Sequence, residues 1–194
     1  MSAAERERWD ERYRDGAYEG RKHPTALLAE WLPQVPRGRA LDVACGAGRN
    51  ALFVADRGFR VDALDISAVA LERARRSADE RALAVNWLCA DLDGDIEAAL
   101  PESRYELIVW VRYIHPTLMP HLVARLAPAG VLVCEQHLAA EGSVAGPTNP
   151  AFRLAPDELL RMAAAMQVVH YREGMIEDPD GRMVALAQLV AAAR

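Results

Sequence analysis

The stretch Leu41 to Asn50, LDVACGAGRN, decides the reading of this chain, because ten residues hold a strand, an acid, a glycine-rich turn and a helix start. The apolar first half predicts a strand carrying Asp42, and Gly46 and Gly48 fall where that strand turns into a helix. A side chain at either glycine would block close approach of a ligand to the backbone. Amides at the following helix start offer donors and a positive dipole end to a carboxylate or phosphate. A second apolar run, RVDALDI (60–66), comes one helix later with Asp65 near its end, and a third, AVNWLCADL (84–92), carries Asp91. An open α/β sheet holds an adenosine at the carboxyl ends of its strands with this succession of parts.

The same alternation continues on both sides of the motif. Residues 3–15 pattern as a charged helix with Trp9 and Tyr13 four apart on one face, and TALLAEWL (25–32) as a short helix stopped by Pro33 and Pro36. After the strand at 40–45 come a helix at 49–57, the strand RVDALDI, a helix at 68–82 capped by Ser67, and the strand AVNWLCADL. A short helical piece at 95–100, a strand at 105–113, a helix at 118–126 ended by Pro128 and Gly130, and a strand at 131–138 follow. Near-continuously apolar strands separated by helices predict a parallel sheet covered on both faces. The last third departs from this: beyond a Gly- and Pro-rich loop and a helix at 156–166, the runs 167–176 and 182–190 are joined by EDPDG, a hairpin signal. The expected class is therefore α/β, a doubly wound and mostly parallel sheet that ends in an antiparallel hairpin.

Length and charge narrow the partners. A chain of 194 residues suffices for one domain and leaves no room for a separate substrate domain. A net charge of −5 argues against tracking a phosphate backbone, so no nucleic-acid partner is expected. SAAERERWDERYRDG lacks the apolar core of a signal peptide or anchor, and no run approaches a membrane span, so neither a membrane nor export is expected and the location is read as cytoplasmic. Cys45, Cys89 and Cys134 lie in strand-like runs without the spacing of zinc or redox pairs; all three are expected to be small buried residues, with no metal.

Which adenosine is bound turns on Asp42. An acid inside the first strand is an expensive buried charge unless the ligand brings a cation. S-adenosylmethionine carries an ammonium and a carboxylate; a nicotinamide dinucleotide carries no such ammonium. Asp65 is placed to accept from both ribose hydroxyls and Asp91 from the adenine amino group. Arg49 and Asn50, just past the glycine turn, are candidates for the methionine carboxylate. Ala44, Ile66 and Leu92, beside these motifs, complete the candidate cofactor site with Asp42, Gly46, Gly48, Asp65 and Asp91.

WDERY, LDVACGAGRNAL, DALDIS, YELIVWVRYIH and GVLVCEQ, in this order, resemble a class I S-adenosylmethionine-dependent methyltransferase, and more narrowly the small tellurite-resistance type. The family pattern has Gly where this chain has Ala44. The resemblance implies a seven-stranded sheet with its last strand antiparallel, in one methyltransferase domain over 1–194 with an N-terminal helical segment 1–36 and a core 39–194. It also implies methyl transfer to a small-molecule acceptor, with a homodimer left open. Arg112, Tyr113 and His115 end the fourth strand, the edge over which an acceptor would lie, and are the candidate catalytic residues on the acceptor side. Glu135 and His137 end the fifth strand and either line the site or form an exposed strand terminus. A soft sulfur, selenium or tellurium acceptor requires no base, so the lack of a base motif does not count against an enzyme. A nicotinamide-dependent oxidoreductase and a non-catalytic S-adenosylmethionine-binding module are the competing readings.

Two further motifs carry no weight. DLDGDIEAALPE spaces acids like a calcium loop but has Ile96 where the sharp turn requires Gly. TNPAF resembles an amide-recognising motif of adenine methyltransferases, yet that motif belongs at the end of the fourth strand, which here reads VRYIHP.

Overall fold

The computed structural model describes residues 3–140, 142 and 144–194. Met1 and Ser2 of the expected N-terminal segment, and Glu141 and Ser143 of the expected Gly- and Pro-rich loop, lie outside the described residues. The chain forms α1 (Ala3–Arg14), α2 (Ala26–Trp31), β1 (Arg39–Val43), α3 (Arg49–Ala55), β2 (Arg60–Asp65), α4 (Ala68–Glu80) and β3 (Val85–Cys89). These are followed by α5 (Ile96–Ala99), β4 (Tyr105–Val111), α6 (Leu118–Arg125), β5 (Leu126–His137), α7 (Glu158–Met162), β6 (Gln167–Glu177) and β7 (Met183–Ala192). The strands make one seven-stranded sheet in the order β3-β2-β1-β4-β5-β7-β6. Pairings among the first five strands are parallel, and β7 runs antiparallel to both β5 and β6. The strand order reverses between β1 and β4, the crevice in which such sheets bind ligands.

Side-chain alternation along the strands builds two cores. In β4, Ile108 and Trp110 join the cluster under α6 and α7 with Leu118, Leu122 and Leu159, while Leu107, Val109 and Val111 join the opposite one with Leu28, Ala51 and Leu71 from α2, α3 and α4. Leu41 and Val43 of β1 belong to the first cluster, so Asp42 between them points to the α3 side. Ser67 caps α4 as expected, its Oγ accepting from Ala70 N–H at 3.1 Å.

Two boundaries and the burial of one cysteine depart from the sequence reading. β5 starts at Leu126, directly after α6, instead of beyond Gly130. Leu126 pairs with Tyr105, and the extra residues at 127–130 are absorbed in a bulge where a Cβ on Gly130 would lie 2.6 Å from the Tyr105 carbonyl oxygen. α7 is shorter than its periodic pattern and ends at Met162. Cys45 and Cys134 are buried, but Cys89 is exposed because β3 is an edge strand with one side open.

The N-terminal segment is pinned to the core by specific polar contacts. Asp10 accepts from Ser67 Oγ–H at 2.6 Å and from Val69 N–H at 3.2 Å, fixing α1 across the start of α4. One turn on, Tyr13 is buried, and Arg73 donates to the Tyr13 and Ala17 carbonyls at 3.1 and 3.2 Å. No helix among the described residues is long and apolar enough to cross a membrane.

Candidate active site

The carboxyl ends of β1, β2 and β3 converge on the glycine turn. Ala44, Gly46 and Gly48 all have positive φ, at 54°, 56° and 79°. Gly48 is required twice over, since a Cβ there would sit 2.6 Å from the Trp87 ring as well as in the left-handed region. Ala44 holds the same backbone region with a side chain, a strain of about 1–3 kcal/mol. A Cβ on Gly46 would sit 2.4 Å from the Tyr13 hydroxyl, so α1 lays its aromatic directly over the turn.

Asp42 is almost wholly buried, and its Oδ2 has no hydrogen-bond partner among the described residues. Burial raises its pKa to about 7, opposed by the Ala51 N–H and the charge of Arg49. A desolvated carboxylate with an unused oxygen at the end of β1 is stabilised by an incoming ammonium. The methionine arm of S-adenosylmethionine supplies that ammonium, so the residues present fit this cofactor.

Asp65 is also buried. Its Oδ2 accepts from Gly46 N–H at 2.7 Å and its Oδ1 from Ser67 N–H at 2.9 Å. These two bonds lock the glycine turn to the start of α4, a role the sequence did not reveal, and each oxygen retains acceptor capacity for a ribose hydroxyl. Burial raises its pKa, partly offset by the Ser67 and Gly46 amides. Ile66 follows it, and Leu92 is buried beyond β3. Asp91 accepts from Asp93 N–H at 3.0 Å, and Asp95 caps α5 through Ala98 N–H at 3.2 Å, so two acids of the calcium-like run take part in local turns.

The three candidate acceptor residues do not act as one group. Arg112 has φ 58° and turns toward β5 and the hairpin, where Nε and Nη2 donate to Glu135 Oε1 at 3.1 and 2.9 Å and Nη1 to Asp178 Oδ2 at 2.7 Å. The expectation that Arg112 faces the acceptor is corrected, because two buried carboxylates already hold its guanidinium. Tyr113 and His115 turn the other way, to the loop after β3: Tyr113 Oη donates to Asp93 Oδ1 at 3.0 Å, and His115 Nε2 lies 3.2 Å from the same oxygen. Burial, then the charge of Asp93, pushes the Tyr113 phenol upward, so it stays protonated.

One other alternative is settled in the same region. Asn50 is buried, and its Oδ1 accepts from Thr25 N–H at 3.0 Å, which ties α3 to the start of α2 and leaves Nδ2 as the group that could donate to a carboxylate. Glu135 is not an exposed strand end. It is 2% exposed and accepts from Arg112, from Thr25 Oγ1–H at 3.1 Å and from Gln188 Nε2–H at 2.8 Å. His137 is also buried, and its Nδ1, against Gly146, has no partner among the described residues; burial, then the charges of Arg112 and Arg153, lowers its pKa to about 3 and keeps it neutral. Arg49 donates to the His23 carbonyl at 3.1 Å.

A sheet of order 3-2-1-4-5-7-6 with antiparallel β7, an orphaned acid at β1 and a second acid at β2 defines the class I methyltransferase fold. A family model described as a methyltransferase domain matches residues 40–130. Trans-aconitate 2-methyltransferase of Paracidovorax citrulli is 32% identical over 123 residues, 59% of this chain and 45% of that protein. The chain spans less than half the length of the curated relatives it matches. Among solved structures, TehB from Haemophilus influenzae superposes with a TM-score of 0.72 at 20% identity, covering 86% of this chain and 61% of that one. The N-methyltransferase NodS from Bradyrhizobium japonicum, in complex with S-adenosyl-L-homocysteine, gives 0.64 at 20% identity over 86% and 83%.

Proposed function

We propose that this protein transfers the methyl group of S-adenosylmethionine to a small acceptor that needs no proton removed. The observation carrying the cofactor half is the buried Oδ2 of Asp42 beside the glycine turn, without a partner among the described residues. When bound, the cofactor supplies a methyl already activated by its sulfonium. The protein's own task is to align the acceptor, exclude water and balance charge.

The following residue roles are proposed. Asp42 takes the ammonium, Asp65 the ribose hydroxyls, and Arg49 the methionine carboxylate; Ile66, Asp91 and Leu92 flank the adenine. Tyr13, packed over Gly46 from α1, excludes water from the turn. Tyr113 and His115, both held by Asp93, form the wall facing the acceptor.

Two kinds of acceptor need no base: a soft sulfur, selenium or tellurium nucleophile, and an oxygen nucleophile that is already anionic. Trans-aconitate, named in several relatives, belongs to the second kind. The test offers the full chain S-adenosylmethionine with a panel of thiols, selenite, tellurite and trans-aconitate, and measures S-adenosylhomocysteine formed. Turnover with one of these supports the reading. Tight cofactor binding with no product from any of them leaves a binding module instead, and saturable NAD binding of comparable affinity overturns the cofactor assignment.

A further inference from the structure

Asp42 and Asp65, the two carboxylates expected to meet the cofactor, are 2% and 8% exposed. A ligand reaches them only if something moves. What lies over the turn between them is α1, for a Cβ on Gly46 would run into the Tyr13 hydroxyl. Burial, then the charge of Asp65, raises the Tyr13 pKa, which places the protonated phenol close to that carboxylate.

The way α1 is held suits it to movement. Of its twelve residues only Asp10 and Tyr13 are buried, and it adds no side chain to either core. Helices in a folded domain are held mainly by an apolar face, whereas this one is held by polar bonds. Those that join it to the rest of the fold, among the described residues, end on Ser67 and α4: Asp10 accepts from Ser67 and Val69, and Arg73 donates to the Tyr13 and Ala17 carbonyls. The segment is also tied to itself. Arg12 donates to Tyr18 Oη at 3.0 Å and lies 4.9 Å from the centre of the Trp9 ring, and the rings of Tyr13 and Tyr18 are 5.8 Å apart. A unit with internal ties, little apolar burial and one set of polar bonds to its neighbour opens at a free energy below that of global unfolding.

We propose that α1 is a gate on the cofactor site, lifting from the glycine turn to admit S-adenosylmethionine and closing over it afterwards, with Asp10 as the latch. Asp10 is bonded to Ser67 and Val69 and not to the ligand, so the latch bears equally on the empty and the loaded site. A group with no differential interaction with the two states shifts no affinity. Breaking the latch therefore speeds entry and exit alike. The inference rests on the cofactor reading above and adds how that site is opened.

Rapid filtration of the full chain with radiolabelled S-adenosylhomocysteine measures both rates. Asp10→Ala should raise association and dissociation each by about tenfold or more, since a bond to a charged group exceeds the energy of one factor of ten, with Kd kept within about threefold. Asp10→Asn, which keeps an acceptor oxygen, should raise them less, and Glu7→Gln, an exposed charge on the same helix, should change neither. Hydrogen exchange on the ligand-free chain should show the α1 amides opening together and faster than those of α4, and Asp10→Ala should accelerate α1 alone. Should that variant also lose the protection of α4, Arg73→Gln, which frees the Tyr13 and Ala17 carbonyls, takes its place under the same criteria. An unchanged association rate, a rise in dissociation alone, or α1 amides protected as well as those of β1 each overturns the gate. Failure of S-adenosylhomocysteine to bind the unaltered protein overturns the cofactor reading and the gate with it, whereas binding at rates indifferent to the latch overturns the gate alone.

Discussion

Arg112, the residue after β4, and Asp178, in the turn between β6 and β7, meet at 2.7 Å across the carboxyl edge of the sheet. The same guanidinium holds Glu135 of β5, so one side chain joins the parallel half of the sheet to the antiparallel hairpin. The group nearest the expected acceptor position is thereby a structural clamp, and its substitution acts first on stability.

Arg112→Ala leaves Glu135 and Asp178 buried without their cation. Breaking a buried pair in this way costs about 3–5 kcal/mol, and urea denaturation should show a loss of that order. The cation depresses the Asp178 pKa, although burial acts the other way. The resulting stability is present above the ordinary carboxylate pKa and is lost as pH falls through the lower folded value, so wild type and variant should converge in acid. A variant as stable as wild type at neutral pH would contradict the clamp.

Asp42 has the opposite sign. Its folded pKa of about 7 stands above the ordinary aspartate value of 3.8, so its contribution is intact below pH 3.8 and is lost progressively as pH rises to about 7. Asp42→Asn should therefore stabilise the ligand-free protein above pH 7, by an amount on the order of a few kcal/mol, while weakening S-adenosylmethionine at least about tenfold. Thermal melts of both proteins between pH 4 and 8 check this: their difference should grow across that window and flatten beyond it.

Asp65 supports the fold as well as a ligand. Asp65→Ala strands the buried amides of Gly46 and Ser67, and each unsatisfied group costs about 1–3 kcal/mol. The ligand-free protein should melt measurably lower, in addition to losing cofactor affinity. Unchanged melting with lost affinity would show that the two amide bonds contribute nothing.

Ala44→Gly relieves a side chain held at φ 54°. The strain removed is about 1–3 kcal/mol, and the added unfolded-state entropy of glycine returns about 0.4–1 kcal/mol. A net gain near 1 kcal/mol is expected in chemical denaturation, with cofactor affinity unchanged or improved.

Much of this architecture was legible in local sequence. Near-continuously apolar runs alternating with helical ones pointed to the parallel sheet, EDPDG to the hairpin, and Ser67 to the start of α4. The placement of Asp42, Gly46, Gly48 and Asp65 on strand ends or a turn was readable because short-range pattern determines it. β5 was misjudged at its start because a bulge depends on the partner strand, where Leu126 finds Tyr105.

What the tertiary structure alone decided is which distant segments meet at the sheet edge. Pattern tells which face of a strand a residue occupies, but not what faces it from elsewhere in the chain. Arg112 is closed by an acid 66 residues away, Asn50 is taken by Thr25, and Glu135 is buried under Gln188, 53 residues on. Tyr13 comes to lie over Gly46 in the same way, on an N-terminal helix that Asp10 ties to Ser67. Charge pairing acts through space, over distances that only the folded chain sets.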